Sequence, residues 1–387
     1  MERYPLSKIA DPSTMKILIG ISYYHPNISG LTIYAKRFAE EMVNRSHSVE
    51  VLTAKYRKKL PAREIIRGVL ITRIWTPVCI GRGPVMPTFP IAVYKALRKS
   101  QIVNCHLPQF ESFITVILAK LLKKNVILTY HCDLSGWPGL VNHISEIATW
   151  ITQFIAGALA DAIISYTEDY GRHSRFLSLF KKKVVYILPP VKLETPANLS
   201  GNWQDAKVKI GFAGRVSREK GLHHLLQTLP SLRKSLGRDV QLIFAGPFKE
   251  VIGVDYKSLL GGYLEKWKQN LTFLGPLSQA EMASFYKTID VLVLPSTERL
   301  EAFGMVQVEA MMHGCPVVAT DLPGVRIPIS LTGMGKLVPP RNTKALAKAI
   351  AEVITNRKRF IRPKKEIQKK FDYQRTMDAL ESLMETT

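Results

Sequence analysis

The sequence lacks the residue patterns that mark several large classes of protein. Its four cysteines lie far apart without a Cys-x-x-Cys pair, which argues against a disulfide framework or structural zinc and favours a reducing cytosol. No Asp-x-Asp, His-x-x-x-His or carboxylate cluster occurs, so we expect no metal ion. Because the Gly-x-Ser-x-Gly elbow, the lysine-containing phosphate loop and an initial Gly-x-Gly-x-x-Gly are also missing, hydrolase, kinase-type and nicotinamide-dependent functions are disfavoured.

Long apolar runs are scarce. The longest, Ile147 to Ile164, contains Thr149, Thr152 and Asp161 and is too polar for a spanning helix, so it predicts a buried helix followed by a strand. Residues Met1 to Thr14 contain no apolar export signal. We therefore expect a cytoplasmic protein.

The length and composition indicate a soluble protein of two domains. A chain of 387 residues is too long for one ordinary core, and 46% hydrophobic with 22% charged residues is close to the globular average.

The net charge of +23 is concentrated in one segment. Residues Lys55 to Lys99 contain Glu64 as the single acidic residue against eleven basic ones: Lys55, Arg57, Lys58, Lys59, Arg63, Arg67, Arg73, Arg82, Lys95, Arg98 and Lys99. Such a field attracts an anionic membrane leaflet, a phosphorylated acceptor or nucleic acid, and a solvated basic face explains it equally well.

Strand and helix patterns alternate along the first half. Apolar runs at Met15–Ser22, Val49–Thr53 and Val126–Tyr130 predict strands, whereas Leu31–Arg45 and Phe110–Leu122 have helical periodicity. Alternating β and α units predict a parallel, doubly wound sheet.

The same pattern returns after the proline-rich segment Ile187–Pro196 and the polar turn formers of Asn198–Asp205, which together predict a linker. Lys209–Gly214 is a predicted strand, Gly221–Leu236 a predicted helix and Val240–Ala245 another strand. We therefore predict domains at 1–195 and 196–370 and a closing C-terminal helix at 371–387. The carboxyl strand edges of the two sheets should face one cleft, where such sheets bind ligands.

Cations follow the first strand of the second domain. Arg215 and Lys220 precede a predicted helix, whose amino terminus and macrodipole would add to their charge and favour a diphosphate. A solvated basic turn is the alternative.

Two glutamates lie eight residues apart around a Phe-Gly pair. Glu309 is placed in a predicted helix, where a carboxylate can bind a ribose diol, and Glu301 in the preceding loop, where it can bind sugar hydroxyls. Gly304 allows backbone amides to approach a ligand. Helix capping and a surface charge explain the same residues.

The first domain offers weaker candidates. Gly30 in the first βα loop permits a phosphate or sugar to approach the backbone, although turn geometry also explains it. His106 and His131 each follow a strand end on the expected cleft side, and a structural histidine is the alternative for both.

Together these segments resemble the retaining glycosyltransferases of family 4, from Met15 to the C-terminal helix. The matching segments are Tyr23–Gly30, Phe212–Gly221, Phe273–Leu277, Val291–Ser296, Glu301–Glu309 with the spacing Glu-x7-Glu, and Gly314–Ala319. The resemblance implies the GT-B fold, which has two Rossmann-like domains facing a cleft and a C-terminal helix that packs back on the first domain.

The resemblance also implies residue roles. Arg215 and Lys220 would hold the donor diphosphate and Glu309 the ribose. The donor sugar would bind Glu301, His131 and the amides of the following turn, which belong to Phe303, Gly304 and Met305. Ser29-Gly30 replaces the glycine pair common in the family, and Arg45-Ser46-His47 replaces its Arg-Gly-His, which we expect to be structural.

The implied reaction transfers a sugar, with retention, from a nucleotide-sugar to an acceptor hydroxyl. The leaving diphosphate, stabilised by Arg215 and Lys220, would help to deprotonate the acceptor. We expect no cofactor, a UDP- or GDP-sugar donor, and a lipid or lipid-linked glycan acceptor in cell-envelope or polysaccharide biosynthesis. Lys55 to Lys99 would then meet the inner membrane face peripherally.

Two other functional interpretations of the sequence stay open. A related GT-B enzyme, such as a nucleotide-sugar epimerase or a phosphorylase, would have the same donor residues. Nucleic-acid binding is suggested by charge alone, and because the basic segment lacks interleaved aromatics and known modules, no nucleic-acid partner is expected.

Overall fold

The computed structural model describes residues 14–80, 83–134, 139–199, 201, 205, 208–236, 239–247 and 256–387. Arg82 of the basic segment, part of the predicted linker (200, 202–204) and nearly all of the amino-terminal segment (1–13) lie outside these residues.

The first half of the chain forms an α/β domain. Its described elements are β1 (Lys16–Gly20), α1 (Gly30–Asn44), β2 (Ser48–Ala54), β3 (Arg63–Ile66), β4 (Val69–Ile74), β5 (Val78–Ile80), β6 (Gly83–Val85), α2 (Phe89–Leu97), β7 (Ile102–Leu107), α3 (Ser112–Leu121), β8 (Asn125–Tyr130), α4 (Leu140–Leu159), β9 (Ala162–Ser165), α5 (Glu168–His173), α6 (Arg175–Leu179) and β10 (Val184–Tyr186).

The main sheet of this domain has the order β10-β9-β8-β7-β1-β2-β4-β3. Its pairs are parallel except β3–β4, an antiparallel edge that the sequence did not predict. The inner strands β7 and β8 are buried apart from Asn125, because helices cover both faces of the sheet. Strands β5 and β6 form a separate two-stranded ribbon.

The second half repeats the architecture. Its described elements are β11 (Val208–Ala213), α7 (Leu222–Leu226), α8 (Leu229–Leu236), β12 (Val240–Ala245), α9 (Tyr256–Lys266), β13 (Leu271–Gly275), α10 (Gln279–Thr288), β14 (Val291–Leu294), α11 (Met305–Met312), β15 (Val317–Thr320), α12 (Ile327–Thr332), β16 (Gly335–Val338), α13 (Thr343–Thr355), α14 (Lys364–Lys370) and α15 (Tyr373–Thr386). The strands are parallel in the order β13-β12-β11-β14-β15-β16.

One predicted helix is divided in the structure. The single helix predicted over Gly221–Leu236 is instead α7 followed by α8, and Pro230 lies at the second position of α8. Proline has no amide hydrogen and its ring obstructs the preceding turn, so a continuous helix would be broken at this point. The Thr228 hydroxyl donates to the Leu225 carbonyl, 2.6 Å away, between the two helices.

The prediction of a buried helix within Ile147–Ile164 was wrong in one respect. Helix α4 and strand β9 are present, but only one side of α4 packs against the domain. Its other side exposes apolar side chains, with Ile147 49%, Trp150 45% and Ile151 50% accessible. Helix α3 packs on α4, and the buried side chains of α4 include Thr152 and Gln153, whereas large apolar residues of the helix lie on its uncovered side. Among the described helices, none is long and apolar enough to cross a bilayer.

The C-terminal helix α15 packs back on α1 of the first domain. Arg45, at the end of α1, contacts Asp378 at 2.8 Å and Glu381 at 2.5 Å. The ring of His47 also bonds Glu381, at 2.7 Å. The Arg45-Ser46-His47 segment thus anchors α15, which agrees with the expected structural role.

Candidate functional site

A cleft of about 1400 Å³ is lined by residues of both domains. Each parallel sheet has a point where the strand order reverses, β1 beside β7 in the first sheet and β11 beside β14 in the second. Open α/β sheets bind ligands outside the carboxyl ends of the strands at such points. Loops from both points line the cleft.

The loop after β11 brings two cations to the cleft. Arg215 follows the strand closely, and Lys220 ends a 3₁₀ turn that leads into Gly221. Gly221 has φ +66°, and a Cβ there would lie 2.0 Å from the Pro295 carbonyl oxygen, so glycine lets this loop pack against the end of β14.

That packing pairs a cation with a carboxylate from the opposite loop. The Lys220 ammonium donates to Glu301 Oε2, and the two side chains are 20% and 15% exposed. The Arg215 guanidinium lies 3.7 Å from Glu219. Lys220 therefore lies beside the first predicted glutamate, and Arg215 lines the same cleft.

Helix α11 begins at the cleft. Gly304 precedes it with φ +78°, and a Cβ there would lie 2.6 Å from Leu294 Cδ2. Met305 starts the helix and lines the cleft, so its amide lies at the positive end of the helix dipole. The Phe303 ring is 1% exposed and packs 6.2 Å from the rings of Tyr166 and Phe371, which leaves its backbone as the part able to face a ligand.

Glu309 projects from α11 and has a partner on each oxygen. Oε1 accepts from Arg37 Nη2 in α1 of the first domain at 2.9 Å, and Oε2 accepts from the Tyr286 hydroxyl at 2.9 Å. Burial, followed by the Glu309 charge, raises the pKa of Tyr286 well above its usual value. No sequence pattern indicated Arg37 or Tyr286, since both lie in helices without a recognisable motif.

Gly30 lies opposite the start of α11. It is the first residue of α1, capped by Ser29 in a reciprocal bond with Thr32. A Cβ on Gly30 would lie 3.8 Å from Met305 Cε in the second domain. The two domains are thus close at this edge of the cleft.

The two predicted histidines are bonded to each other. His106 Nδ1 and His131 Nε2 lie 2.8 Å apart, and His131 Nδ1 bonds the Tyr166 hydroxyl. Burial lowers the pKa of His106 to about 3, and burial with the neighbouring His106 lowers that of His131 well below its usual range. Both rings are therefore neutral at physiological pH. His131 lines the cleft, whereas His106 is fully buried behind it.

The end of β8 lies within electrostatic reach of the second-domain residues. Burial, Asp133 and Glu301 raise the pKa of Cys132 to about 12, while Arg215 and Lys220 oppose that shift. The cleft therefore brings together the site residues predicted in both domains. Among the described residues, no three His, Cys, Asp or Glu side chains are grouped as metal ligands.

Two protein-family models match the chain. Residues 28–195 match Glycosyltransferase Family 4, and residues 200–370 match Glycosyl transferases group 1.

Individual relatives agree with these matches. The chain is 32% identical over 404 residues to D-inositol 3-phosphate glycosyltransferase of Saccharomonospora viridis, covering 91% of this chain and 88% of the relative. It is 25% identical over 371 residues to an uncharacterized glycosyltransferase of Methanocaldococcus jannaschii, covering 88% and 90%. Among solved structures, Anabaena HepE in complex with UDP and glucose superposes with a TM-score of 0.77 at 18% identity, covering 96% of this chain and all of HepE.

Proposed function

Because the chain belongs to glycosyltransferase family 4 and has the GT-B fold, we propose that it is a retaining, metal-independent enzyme that transfers a sugar from a UDP- or GDP-sugar to an acceptor hydroxyl. The observation that carries the proposal is the ion pair of Lys220 with Glu301 in the cleft, which Arg215 also lines. Two cations suit a diphosphate, and an adjacent carboxylate suits sugar hydroxyls.

In this proposal each group has one role. Arg215 and Lys220 stabilise the leaving diphosphate, which accepts the proton of the acceptor hydroxyl on the same face of the sugar. Glu309 binds the ribose, and Glu301 with the backbone amides of the Phe303–Met305 turn binds the donor sugar. His131, whose ring nitrogens are already bonded, provides a neutral contact surface and neither donates nor accepts a proton.

The direct test measures nucleotide binding and turnover. UDP, GDP and ADP are compared by thermal shift, and release of the diphosphate from the corresponding sugar nucleotides is followed with and without an acceptor. Acceptor-dependent release supports transfer. Conversion of the sugar nucleotide without an acceptor would instead identify an epimerase, and no binding of any nucleotide would overturn the proposal.

We further propose peripheral docking on an anionic leaflet, with a lipid or lipid-linked glycan as acceptor. Helix α3, which packs on α4, also exposes Ile117 and Leu121. Exposed cations lie in and just after α2, which packs on α3, and just after α3 itself: Lys95, Arg98, Lys99 and Lys123. Apolar side chains bordered by lysine and arginine suit an anionic membrane surface. Of the basic segment, Arg73 contributes nothing to this surface, because it is buried and paired with Glu64 at 2.5 Å.

Vesicle flotation tests the docking. Vesicles of phosphatidylglycerol should retain the protein and those of phosphatidylcholine should not, and Ile147→Ser with Ile151→Ser should release it. Equal behaviour on both vesicles would favour a soluble acceptor.

A further inference from the structure

Two buried polar side chains in the first domain carry atoms that have no hydrogen-bond partner among the described residues. Gln109 is 2% exposed and Glu111 6%, and both line the cleft. Among the described residues, neither the amide nitrogen nor the amide oxygen of Gln109 has a hydrogen-bond partner, and Glu111 Oε2 has none. Buried polar atoms left unpaired cost free energy, so a protein that keeps them gains something else from them.

Their position in the fold is that of a ligand site. Both residues follow β7, which lies beside β1 at the switch point of the first sheet. The corresponding point of the second sheet carries Arg215 after β11 and Glu301 after β14. A Cβ added to Gly20, the last residue of β1, would lie 3.6 Å from Gln109 Oε1, so the amide packs directly at the junction of the two strands.

The donor and acceptor atoms of the pair indicate the chemistry of the ligand. The Gln109 amide both donates and accepts hydrogen bonds. Burial raises the pKa of Glu111 to about 7, so its carboxyl is partly protonated near neutral pH and can also both donate and accept. Vicinal hydroxyls have the same mixed character. The pair supplies no cation, and the carboxyl disfavours a phosphate, so a neutral polyol fits best.

The wall beside this pair is apolar. Cleft residues from the β5–β6 ribbon, from the loop between β7 and α3 and from helices α2, α3 and α4 supply it: Ile80, Val85, Phe89, Phe110, Ile114 and Ile144. Ile144 is also 58% exposed, so the wall is continuous with the outer apolar side of α4. A ligand that follows the wall would carry an apolar tail.

We propose that Gln109 and Glu111 bind the hydroxyls of the acceptor, and that the acceptor is an amphiphile with a neutral polyol head and an apolar tail. This assignment rests on the proposed transfer reaction and names its acceptor chemistry. The two side chains are binding and specificity residues, which hold the acceptor at the first switch point while the donor occupies the second.

The experiment uses octyl glucoside below its micelle concentration as the probe, with UDP and GDP as separate probes of the donor site. Gln109→Leu and Glu111→Leu should each weaken octyl glucoside binding about tenfold, the loss typical of a buried hydrogen bond, and leave nucleotide affinity unchanged. Glu111→Gln should restore binding, because its amide also donates and accepts. Tetraethylene glycol monooctyl ether, which has the same tail without vicinal hydroxyls, should bind wild type and variants alike.

Stability provides a second readout. If the pair serves a ligand, the leucine variants should melt at the same or a higher temperature than wild type, because unpaired polar atoms are removed. Lower melting temperatures would show a structural role and overturn the assignment, as would unchanged octyl glucoside binding. Failure of the proposed function is distinguishable, since in that case no nucleotide would bind the wild-type protein.

Discussion

Arg37 in α1 donates from Nη2 to Glu309 Oε1 in α11 at 2.9 Å, so the first domain binds the carboxylate that we assign to the donor ribose. The same guanidinium donates from Nη1 to the Pro190 carbonyl, 3.0 Å away, in the segment that joins the domains. The two side chains are 6% and 14% exposed, which makes this a largely buried ion pair. One arginine thus links both domains and their connection.

Arg37→Met should destabilise the protein by about 3–5 kcal/mol, because it leaves the Glu309 charge buried with Tyr286 as its remaining partner. Urea unfolding measures the change. The control is Lys36→Met on the same helix, whose 3.6 Å pair with Glu40 is more exposed and should contribute under about 1 kcal/mol. Equal losses of unfolding free energy for the two substitutions would show that the interdomain pair contributes no more than the exposed pair.

Lys220→Ala and Glu301→Ala should each lower transfer by at least about a hundredfold while the fold stays intact, because they remove the proposed charge stabilisation and the sugar contact. Turnover and circular dichroism are measured together. Arg218→Ala is the matched control, since Arg218 lies in the same turn but is exposed and lines no part of the cleft. Near-normal turnover in either cleft variant would refute the assignment.

The part of the cleft that we propose for the donor was predictable from the sequence, because each of its residues follows a strand end by a short loop. A parallel sheet fixes where such loops emerge, so Arg215, Lys220 and Glu301 could be placed on one edge before their contacts were known. Arg37 and Tyr286 could not be found in this way. Their partner is Glu309, and Arg37 is 272 residues from it in the chain, a tertiary pairing that no local pattern encodes.

The fold was predictable where burial is uniform. Strand β14, for example, is apolar and buried throughout, which is typical of a covered parallel sheet. The prediction was wrong where the composition of a helix does not show which of its sides other elements cover. Helix α4 exposes Ile147, Trp150 and Ile151, and the sequence does not show that this apolar side lacks a covering element.

Gly304→Ala should lower both stability and nucleotide binding. The positive φ costs about 1 kcal/mol or more for a side chain, and the added Cβ would also lie 2.6 Å from Leu294 and displace the start of α11. Gly314→Ala is the control, because Gly314 has nearly the same φ, +77°, with open space around its Cβ. Thermal melting and nucleotide titration should show a larger loss for Gly304→Ala. Similar losses for the two variants would show that the positive φ alone causes the effect and that the contact with Leu294 adds nothing.

The buried pair His106 and His131 should make the protein sensitive to acid. Both pKa values are lowered in the folded state, so their contribution to stability is complete above about pH 6.5 and is lost as the pH falls below that value, toward about 3 for His106. For each histidine that stays neutral in the folded state, the free energy of unfolding should fall by about 1.4 kcal/mol per pH unit as the pH is lowered through this window, because the unfolded chain takes up the proton first.

Comparison with His106→Gln isolates this contribution. The variant is expected to be less stable at pH 7.5, since it loses the 2.8 Å contact with His131. Between about pH 5.5 and 4.5 the difference in unfolding free energy from wild type should shrink by roughly 1.4 kcal/mol, because the variant has one fewer histidine to protonate and the carboxylate contributions cancel. Urea titrations at these pH values measure the difference, and a difference that stays constant would mean that His106 is already protonated in the folded protein.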